Sequence, residues 1–140
     1  MTDRSADVKT ERAPSGTELI RPFLPSRDFD RSRDFYVALG FEKLVDGEVA
    51  IFRAGSGGFI LQRYYKKDWA ENCMMQLMVE DLDAWWKHIA SLDLQRRFGV
   101  QPPKPPAMQP WGLEVAYLYD PAGVLWHVCR QRPGVPQDCA

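Results

Sequence analysis

Residues 27–40 read RDFDRSRDFYVALG and residues 80–92 read EDLDAWWKHIASL, and these two stretches decide the fold. In each, apolar residues recur at spacings of three and four, which predicts an amphipathic helix. Asp28 and Asp81, or the aspartates two residues later, are natural N-caps, because a carboxylate there accepts the free amide protons of the first turn. Gly40 ends the first helix. The two helix starts are 53 residues apart, so the sequence predicts an internal repeat.

Extended segments surround both helices in the same order. One strand precedes each helix and three follow it, separated by turn residues. The predicted strands are residues 18–26, 41–45, 49–53 and 59–64 in the first unit, and 72–79, 95–100, 113–119 and 124–130 in the second. The proline-rich residues 101–110 are expected to form an irregular loop, because proline cannot donate to a strand ladder. Each unit is therefore predicted to be β-α-β-β-β.

The predicted fold class is α+β, with two βαβββ modules that form a curled sheet cup. We expect a flexible N-terminal tail over residues 1–17 and a single domain over residues 18–131, followed by a C-terminal tail over residues 132–140. The two modules are placed at about residues 18–65 and 72–131. A concave sheet face is a natural place for a ligand. A generic α+β domain with a filled core is the alternative at this point.

Composition limits the classes of partner. The chain has 140 residues, 45% of them hydrophobic, and a net charge of -1, so it can build one core but has no field that would hold nucleic acid or an anionic membrane. The first seventeen residues are polar and no apolar run is long enough to span a membrane, which predicts a cytoplasmic protein. Three cysteines without CxxC spacing indicate neither a disulfide framework nor a thiolate metal site. The expected partners are a small molecule and other subunits.

Strand alternation assigns side chains of the first strand to opposite faces. Ile20 and Leu24 are assigned to the helix side, and Arg21 and Phe23 to the inside of the cup. A shift of 53 residues aligns Arg21 with Met74, and a shift of 65 residues aligns Gln62 with His127. These four inner residues, Arg21, Gln62, Met74 and His127, therefore form two symmetry-related pairs.

At these positions the chain resembles the vicinal oxygen chelate superfamily, which includes glyoxalase I, fosfomycin-resistance enzymes, extradiol dioxygenases and bleomycin-resistance proteins. The matching stretches are residues 24–44 (LPSRDFDRSRDFYVALGFEKL), 79–89 (VEDLDAWWKHI) and 110–128 (PWGLEVAYLYDPAGVLWHV). The closest likeness is to the bleomycin-resistance proteins, because a PWG-type turn, an acidic residue and DPAG before a histidine-bearing strand occur together. The resemblance implies the cup fold over residues of about 20–130.

In metal-using members of that superfamily the four inner positions hold His, Glu or Gln around a divalent ion. Here Met74 is a poor ligand for such ions and Arg21 is a permanent cation. A unit charge about 4 Å from a divalent ion costs on the order of 8 kcal/mol at an effective dielectric of about 20, against about 10 to 16 kcal/mol gained in strong sites. We therefore expect no metal and no other cofactor. The alternative is an error in strand register that hides a ligand such as Glu18, Glu71 or Glu114.

The other polar candidates have two interpretations each. His127 is assigned a structural or ligand-contact role, as in the bleomycin-resistance proteins it resembles, with metal ligand or general base as the alternative. Arg21 either pairs with a buried acid or holds a carboxylate or phosphate of the ligand. Gln62 suits an amide-rich ligand as well as it suits neighbouring backbone. His88, beside Lys87 on the second helix, is expected to be solvated surface.

Aromatic side chains at strand ends and before the PWG turn could stack on a flat ligand. The resemblance implies a homodimer, with or without module exchange, in which the first module of one chain and the second module of its partner enclose each groove. Two features depart from the drug binders of that family: the chain is nearly neutral, and Gln76 stands where they have an aromatic residue. The predicted ligand-binding residues are Arg21, Phe23, Gln62, Tyr64, Met74, Gln76, Trp111, Tyr117 and His127.

Three functional hypotheses follow. The leading one is a metal-independent homodimer that sequesters a bleomycin-type antibiotic and confers resistance without turning it over, so that no catalytic residue is assigned. The second is a metal-dependent glyoxalase-like lyase or isomerase, or a dioxygenase, that uses His127. In the third, the cup is filled by its own aromatic side chains and serves as a regulatory or structural module.

Overall fold

The computed structural model describes residues 11–131. In chain order its elements are β1 (Phe23–Leu24), α1 (Phe29–Leu39), β2 (Glu42–Asp46), β3 (Ala50–Ala54), β4 (Gly57–Leu61), α2 (Lys67–Glu71), β5 (Met74–Met78), α3 (Leu82–Ser91), α4 (Leu94–Phe98), β6 (Lys104–Met108), β7 (Leu113–Tyr119) and β8 (Leu125–Gln131). Residues 11–20 are exposed and form no helix or strand. Most of the predicted N-terminal tail and the whole C-terminal tail lie outside the described residues.

The eight strands form two four-stranded sheets of the same topology. Their orders are β1-β4-β3-β2 and β5-β8-β7-β6. In each sheet the first strand runs parallel to the last strand of its own unit, and the remaining neighbours are antiparallel. The predicted α+β fold of two βαβββ modules is therefore confirmed.

The ends of the two long helices lie where the capping residues predict them. An oxygen of the Asp28 carboxylate accepts the Arg31 amide at 3.2 Å, and one of the Asp81 carboxylate accepts the Ala84 amide at 2.9 Å. Gly40 ends α1 with a φ of 107°, a left-handed conformation that glycine adopts without strain. Local hydrogen bonds thus fix where each module turns from strand to helix and back.

One apolar core joins the two modules. It contains residues from α1 and α3 and from one face of each sheet, which we call the helix-side face. The Trp126 ring of β8 lies 5.8 Å from the Tyr36 ring of α1 and 5.5 Å from the Phe59 ring of β4, measured between centroids. The opposite face of each sheet, which we call the open face, carries the side chains that alternate along each strand with the core residues. The chain therefore has two open sheet faces backed by one core.

The first strand is much shorter than the predicted residues 18–26. Only Phe23–Leu24 pairs with β4, because Pro22 and Pro25 flank it and have no amide hydrogen to donate. Leu24 is 1% exposed on the helix-side face, as predicted. Ile20 is 88% exposed, so its assignment to the helix side is wrong.

The predicted strand over residues 95–100 is wrong, because this segment contains the short helix α4. Leu94 and Phe98 are four residues apart, a helical spacing, and both are buried against the core. Gly99 ends the helix with a φ of 68°. The segment therefore packs onto the core as one helical turn and does not join the sheet.

The second strand of the second module is β6, which lies inside the predicted irregular loop of residues 101–110. Pro105 and Pro106 are tolerated there because β6 is an edge strand. The β6–β7 register also shifts between Lys104 and Ala107, which spans both prolines. A strand that pairs on one side and contains an irregularity needs few amide donors, so the two prolines do not prevent β6 from pairing with β7.

Candidate ligand-binding groove

The open face of the second sheet carries one row of four side chains, one from each strand. Gln76 of β5 is the register partner of His127 of β8, His127 is the partner of Tyr117 of β7, and Tyr117 is the partner of Lys104 of β6. Register partners in a sheet share a face, so these four side chains lie side by side. Three of them were predicted as ligand contacts, and Lys104 was not.

A second row of Met74, Leu125 and Tyr119 runs beside the first. Together the two rows, without Gln76, form a groove of about 420 Å³, within the usual range for small-molecule sites. The groove is lined by Met74, Lys104, Tyr117, Tyr119, Leu125 and His127. It lies wholly within one module and is open to solvent on the side away from the core.

The rings of Tyr117 and His127 form the centre of the groove floor. Their centroids are 4.9 Å apart and their planes meet at 83°, an edge-to-face contact. Burial lowers the pKa of His127 and raises the pKa of Tyr117, so both rings are uncharged at neutral pH. Nε2 of His127 is buried without a hydrogen-bond partner among the described residues. The floor is therefore a neutral aromatic surface that holds one unsatisfied nitrogen.

Trp111 lies at one end of this floor. The turn that carries it is closed by the Gly112 amide, which donates to the Gln109 carbonyl at 3.0 Å, and Gly112 has a φ of 94°. Trp111 and Tyr117 both pack against a small cluster of Leu113, Val115 and Cys129, separate from the main core. The predicted ligand contact Trp111 does not line the groove, but its half-buried ring packs against the same cluster as Tyr117 and is therefore a reporter of changes there.

The open face of the first sheet carries the remaining predicted contacts. Its central row is apolar and consists of Phe23, Ile60, Ile51 and Val45. Gln62 lies two residues after Ile60, just beyond β4. This face lines no part of the 420 Å³ groove of the same chain.

Arg21 and Tyr64 lie further from a ladder. Arg21 is half-buried just ahead of β1, and no ion pair among residues 11–131 includes it. Tyr64 is 56% exposed beyond β4, with its ring 6.3 Å from that of Trp69. Neither residue lines the 420 Å³ groove of its own chain.

The repeat shifts that relate Arg21 to Met74 and Gln62 to His127 do not fully match the strand register. Partner numbers differ by 37 in the β1–β4 ladder and by 51 in the β5–β8 ladder, so these offsets differ by 14, whereas the repeat shifts predict a difference of 12. The two modules therefore differ by a two-residue slip in register, and the equivalence of these four positions stays a prediction.

The donor set around His127 does not fit a divalent metal ion. Within residues 11–131 no three His, Cys, Asp or Glu side chains come together as ligands. Met74 and Lys104 line the groove beside His127 and offer a thioether and an ammonium group. Of the alternative ligands, Glu114 lies on the helix-side face and accepts a 2.7 Å hydrogen bond from Arg130.

The other two alternative ligands are also outside the groove. Glu18 is exposed in the coil ahead of β1, and Glu71 is exposed at the end of α2. A one-residue shift in strand register would not bring either beside His127.

Sequence reasoning missed three groove residues. Tyr119 follows Tyr117 by two residues and Leu125 precedes His127 by two, so strand alternation could have found both. Lys104 carried no such signal, because it lies in the segment that was predicted to be an irregular loop. His88 is exposed, as predicted, and its Nε2 also lies 2.7 Å from the Leu39 carbonyl oxygen, a contact that joins α3 to α1.

No protein-family model matches the sequence. The chain is 32% identical over 123 residues to a bleomycin resistance protein of Klebsiella pneumoniae, and the match covers 78% of this chain and 89% of that protein. The chain belongs to the bleomycin resistance protein family. The resemblance stated from the sequence is thereby confirmed, both for the superfamily and for its nearest branch.

Solved structures support the assignment of this family member. It is similar to a bleomycin-binding protein solved in complex with bleomycin, with a TM-score of 0.69, 28% identity, and coverage of 83% of this chain and 100% of that one. It is also similar to a bleomycin resistance determinant encoded on transposon Tn5, with a TM-score of 0.67, 27% identity, and coverage of 83% and 99%. No helix in residues 11–131 is long and apolar enough to cross a membrane.

Proposed function

We propose that this member of the bleomycin resistance family is a cytoplasmic homodimer that sequesters bleomycin-type antibiotics, without a metal ion and without turning them over. The observation that carries the proposal is the neutral floor of Tyr117, His127, Tyr119 and Met74 on the open face of the second sheet. Aromatic and thioether groups of this kind pack well against flat rings. The similarity to a protein that was solved with bleomycin bound supports the same ligand class.

Sequestration agrees with the chemistry of the groove. Its six lining residues include no serine, cysteine or carboxylate. Activation of water by a metal ion needs ligands that these residues do not supply, whereas sequestration needs only the ring, thioether and ammonium contacts that they offer. Binding alone removes a drug from its target when the protein is abundant and the affinity is high.

Dimer formation would enclose the groove. The groove is open on one side, and the open face of the first sheet exposes apolar residues, with Phe23 52% and Val45 45% exposed. Contiguous exposed apolar surface is typical of interfaces. If the first sheet of one subunit faced the second sheet of its partner, Phe23, Gln62 and Arg21 would lie opposite the aromatic floor, and a two-fold axis would give two equal grooves.

Calorimetric titration with bleomycin, followed in parallel by tryptophan fluorescence, tests the proposal. We expect one drug per subunit with micromolar or tighter affinity, and unchanged drug mass after incubation. His127→Ala should weaken binding about tenfold through loss of a ring contact. His88→Ala is the matched control, because His88 lies on α3 away from the groove, and it should bind as the parent does.

Two results would overturn the proposal. One is the absence of heat and fluorescence change at about 100 μM drug, a concentration far above the expected dissociation constant. The other is a stoichiometric divalent ion in elemental analysis of the purified protein. That second result would favour a metal-dependent lyase, isomerase or dioxygenase of the same superfamily.

A further inference from the structure

Lys104 is the one groove-lining residue that is charged at neutral pH. The other lining residues are Met74, Leu125, two tyrosines and His127, and burial lowers the pKa of His127. Among residues 11–131 no acidic side chain lines the groove. Within one chain, these residues therefore present a single positive charge beside an uncharged aromatic floor.

The charge of Lys104 has no ion-pair partner among the described residues. Among residues 11–131, the ion pairs involve seven other basic residues and leave Lys104 out. The basic residues in those pairs are Arg31, Arg33, Lys43, Arg53, Arg63, Arg96 and Arg130. An ammonium group next to apolar surface and without a carboxylate partner attracts an anion more strongly than one in open water.

The register places that charge next to the rings. Lys104 and Tyr117 are partners in the β6–β7 ladder, and Tyr117 is the partner of His127 in the β7–β8 ladder. A flat ligand that packs against either ring of this floor would therefore have an edge near β6. A group on that edge is within reach of the flexible lysine side chain.

We infer that the ligand of this groove combines a planar aromatic part with an acidic group, such as a carboxylate, sulfonate or phosphate, which Lys104 holds. This inference rests on the proposed function, because it names the ligand class of the same groove. A ligand whose planar end carries a cation meets the ammonium group of Lys104 and binds less tightly. Charge at the planar end therefore selects among related antibiotics.

A lysine on an edge strand also discourages pairing with other strands, whatever it binds. The test must therefore keep a charge at the edge while reversing its sign. Lys104→Glu does so. Lys87→Glu is the matched control, because Lys87 is exposed on α3 and does not line the groove.

The probes are bleomycin A2 and bleomycinic acid, which differ at the end of the planar bithiazole: the first carries a cationic amine-derived tail, the second a free carboxylate. Calorimetry at low salt should show bleomycinic acid binding about fivefold more tightly to the parent protein, the size of a partly exposed ion pair. Lys104→Glu should reverse the order, and Lys87→Glu should leave it unchanged. The preference should vanish at about 1 M salt, where the Debye length is about 3 Å.

A second pair of probes separates this inference from the proposed function. They are the bithiazole fragments alone, one with a carboxylate and one with an aminomethyl group, followed by amide shifts of Lys104 and Tyr117 in NMR spectra. If both drugs bind equally and Lys104→Glu changes nothing, the charge preference is overturned and sequestration is supported. A further outcome is that neither drug binds while the carboxylate fragment shifts the amide resonances of Lys104 and Tyr117 more than the aminomethyl fragment does. In that case the acidic-ligand inference holds and the bleomycin proposal fails. If no probe binds, both are overturned.

Discussion

Tyr36 on α1 donates a 2.6 Å hydrogen bond to Oδ2 of Asp120, the residue that follows β7. The indole nitrogen of Trp126 donates to the same tyrosine oxygen at 3.0 Å. Oδ1 of Asp120 accepts the amides of Ala122 and Val124 at 2.8 and 2.9 Å. This buried network connects the helix of the first module to the last hairpin of the second, so it holds the two halves of the repeat together.

Removing the Tyr36 hydroxyl should weaken that connection. Tyr36→Phe leaves the Trp126 indole without its acceptor and Asp120 without one donor, in a buried site. We expect the free energy of unfolding to fall by about 2 to 4 kcal/mol, since each buried unsatisfied polar group costs about 1 to 3 kcal/mol. Urea unfolding measures the change. Tyr64→Phe removes a hydroxyl from an exposed side chain and should change stability by less than about 0.5 kcal/mol; equal losses in both variants would contradict the network.

Asp120 should make stability depend on pH. Burial raises its pKa to about 6, against the hydrogen bonds from Tyr36, Val124 and Ala122, which lower it. Its unfolded value is about 3.9, so the folded chain binds this proton more tightly. The stabilising contribution is complete below about pH 4 and is lost as pH rises through about 6.

The measurement is urea unfolding of the parent and of Asp120→Asn at pH 4, 5, 6 and 7. The asparagine has a similar shape but does not titrate. The free energy of unfolding of the parent minus that of the variant should fall by about 2 kcal/mol from pH 4 to pH 7. A difference that stays constant over this range would show that Asp120 titrates at the same pH folded and unfolded.

Gly58 should not tolerate a side chain. A Cβ atom at this position would lie 2.2 Å from the carbonyl oxygen of Phe52 on the neighbouring strand, closer than any real contact. Gly58→Ala should therefore lower the melting temperature by more than about 5 °C, which corresponds to a loss of more than about 1 kcal/mol in a domain of this size. Gly47→Ala is the matched control, since no atom lies within 4 Å of its Cβ position. Similar melting temperatures for the two variants would refute the close strand approach.

The proposed dimer depends on the apolar row of the first sheet. Phe23→Asp places a charge in that row and should give a monomer, because an unpaired charge is costly to bury in an interface. Val37→Asp makes the same kind of change on the exposed side of α1, where Val37 is 46% exposed, and should leave a dimer. Sedimentation velocity at about 10 μM protein distinguishes the masses, a concentration at which interfaces of standard size stay associated. A dimeric Phe23→Asp variant would place the interface elsewhere.

The features that the sequence predicted well are set by local interactions. Asp28 and Asp81 accept amides three residues later in the chain, and Gly40 adopts its own left-handed conformation, so each signal is readable within one turn. The predicted contacts Tyr117 and His127 are cross-strand partners on one open face. These assignments need no knowledge of what the strands pair with.

The failures concern interactions between distant segments. Leu94 and Phe98 become helical because the core accepts them at that spacing, and nothing in residues 95–100 alone distinguishes this from a strand. Lys104 enters the groove only because β6 pairs with β7. The cross-strand partners of Met74 and His127 depend on a register that the repeat shift misjudged by two residues. Pairing of this kind is fixed by turns and packing and not by local sequence.

The two successive prolines of β6 also limit how the protein assembles. Adjacent residues of a strand point their amides to opposite sides, so one of Pro105 and Pro106 removes a donor from the outer edge of the second sheet. The other edge, β5 (Met74–Met78), contains no proline. Any continuation of this sheet into another subunit should therefore grow from β5 alone. A sheet that can extend in only one direction favours a closed pair of chains over an open-ended fibre.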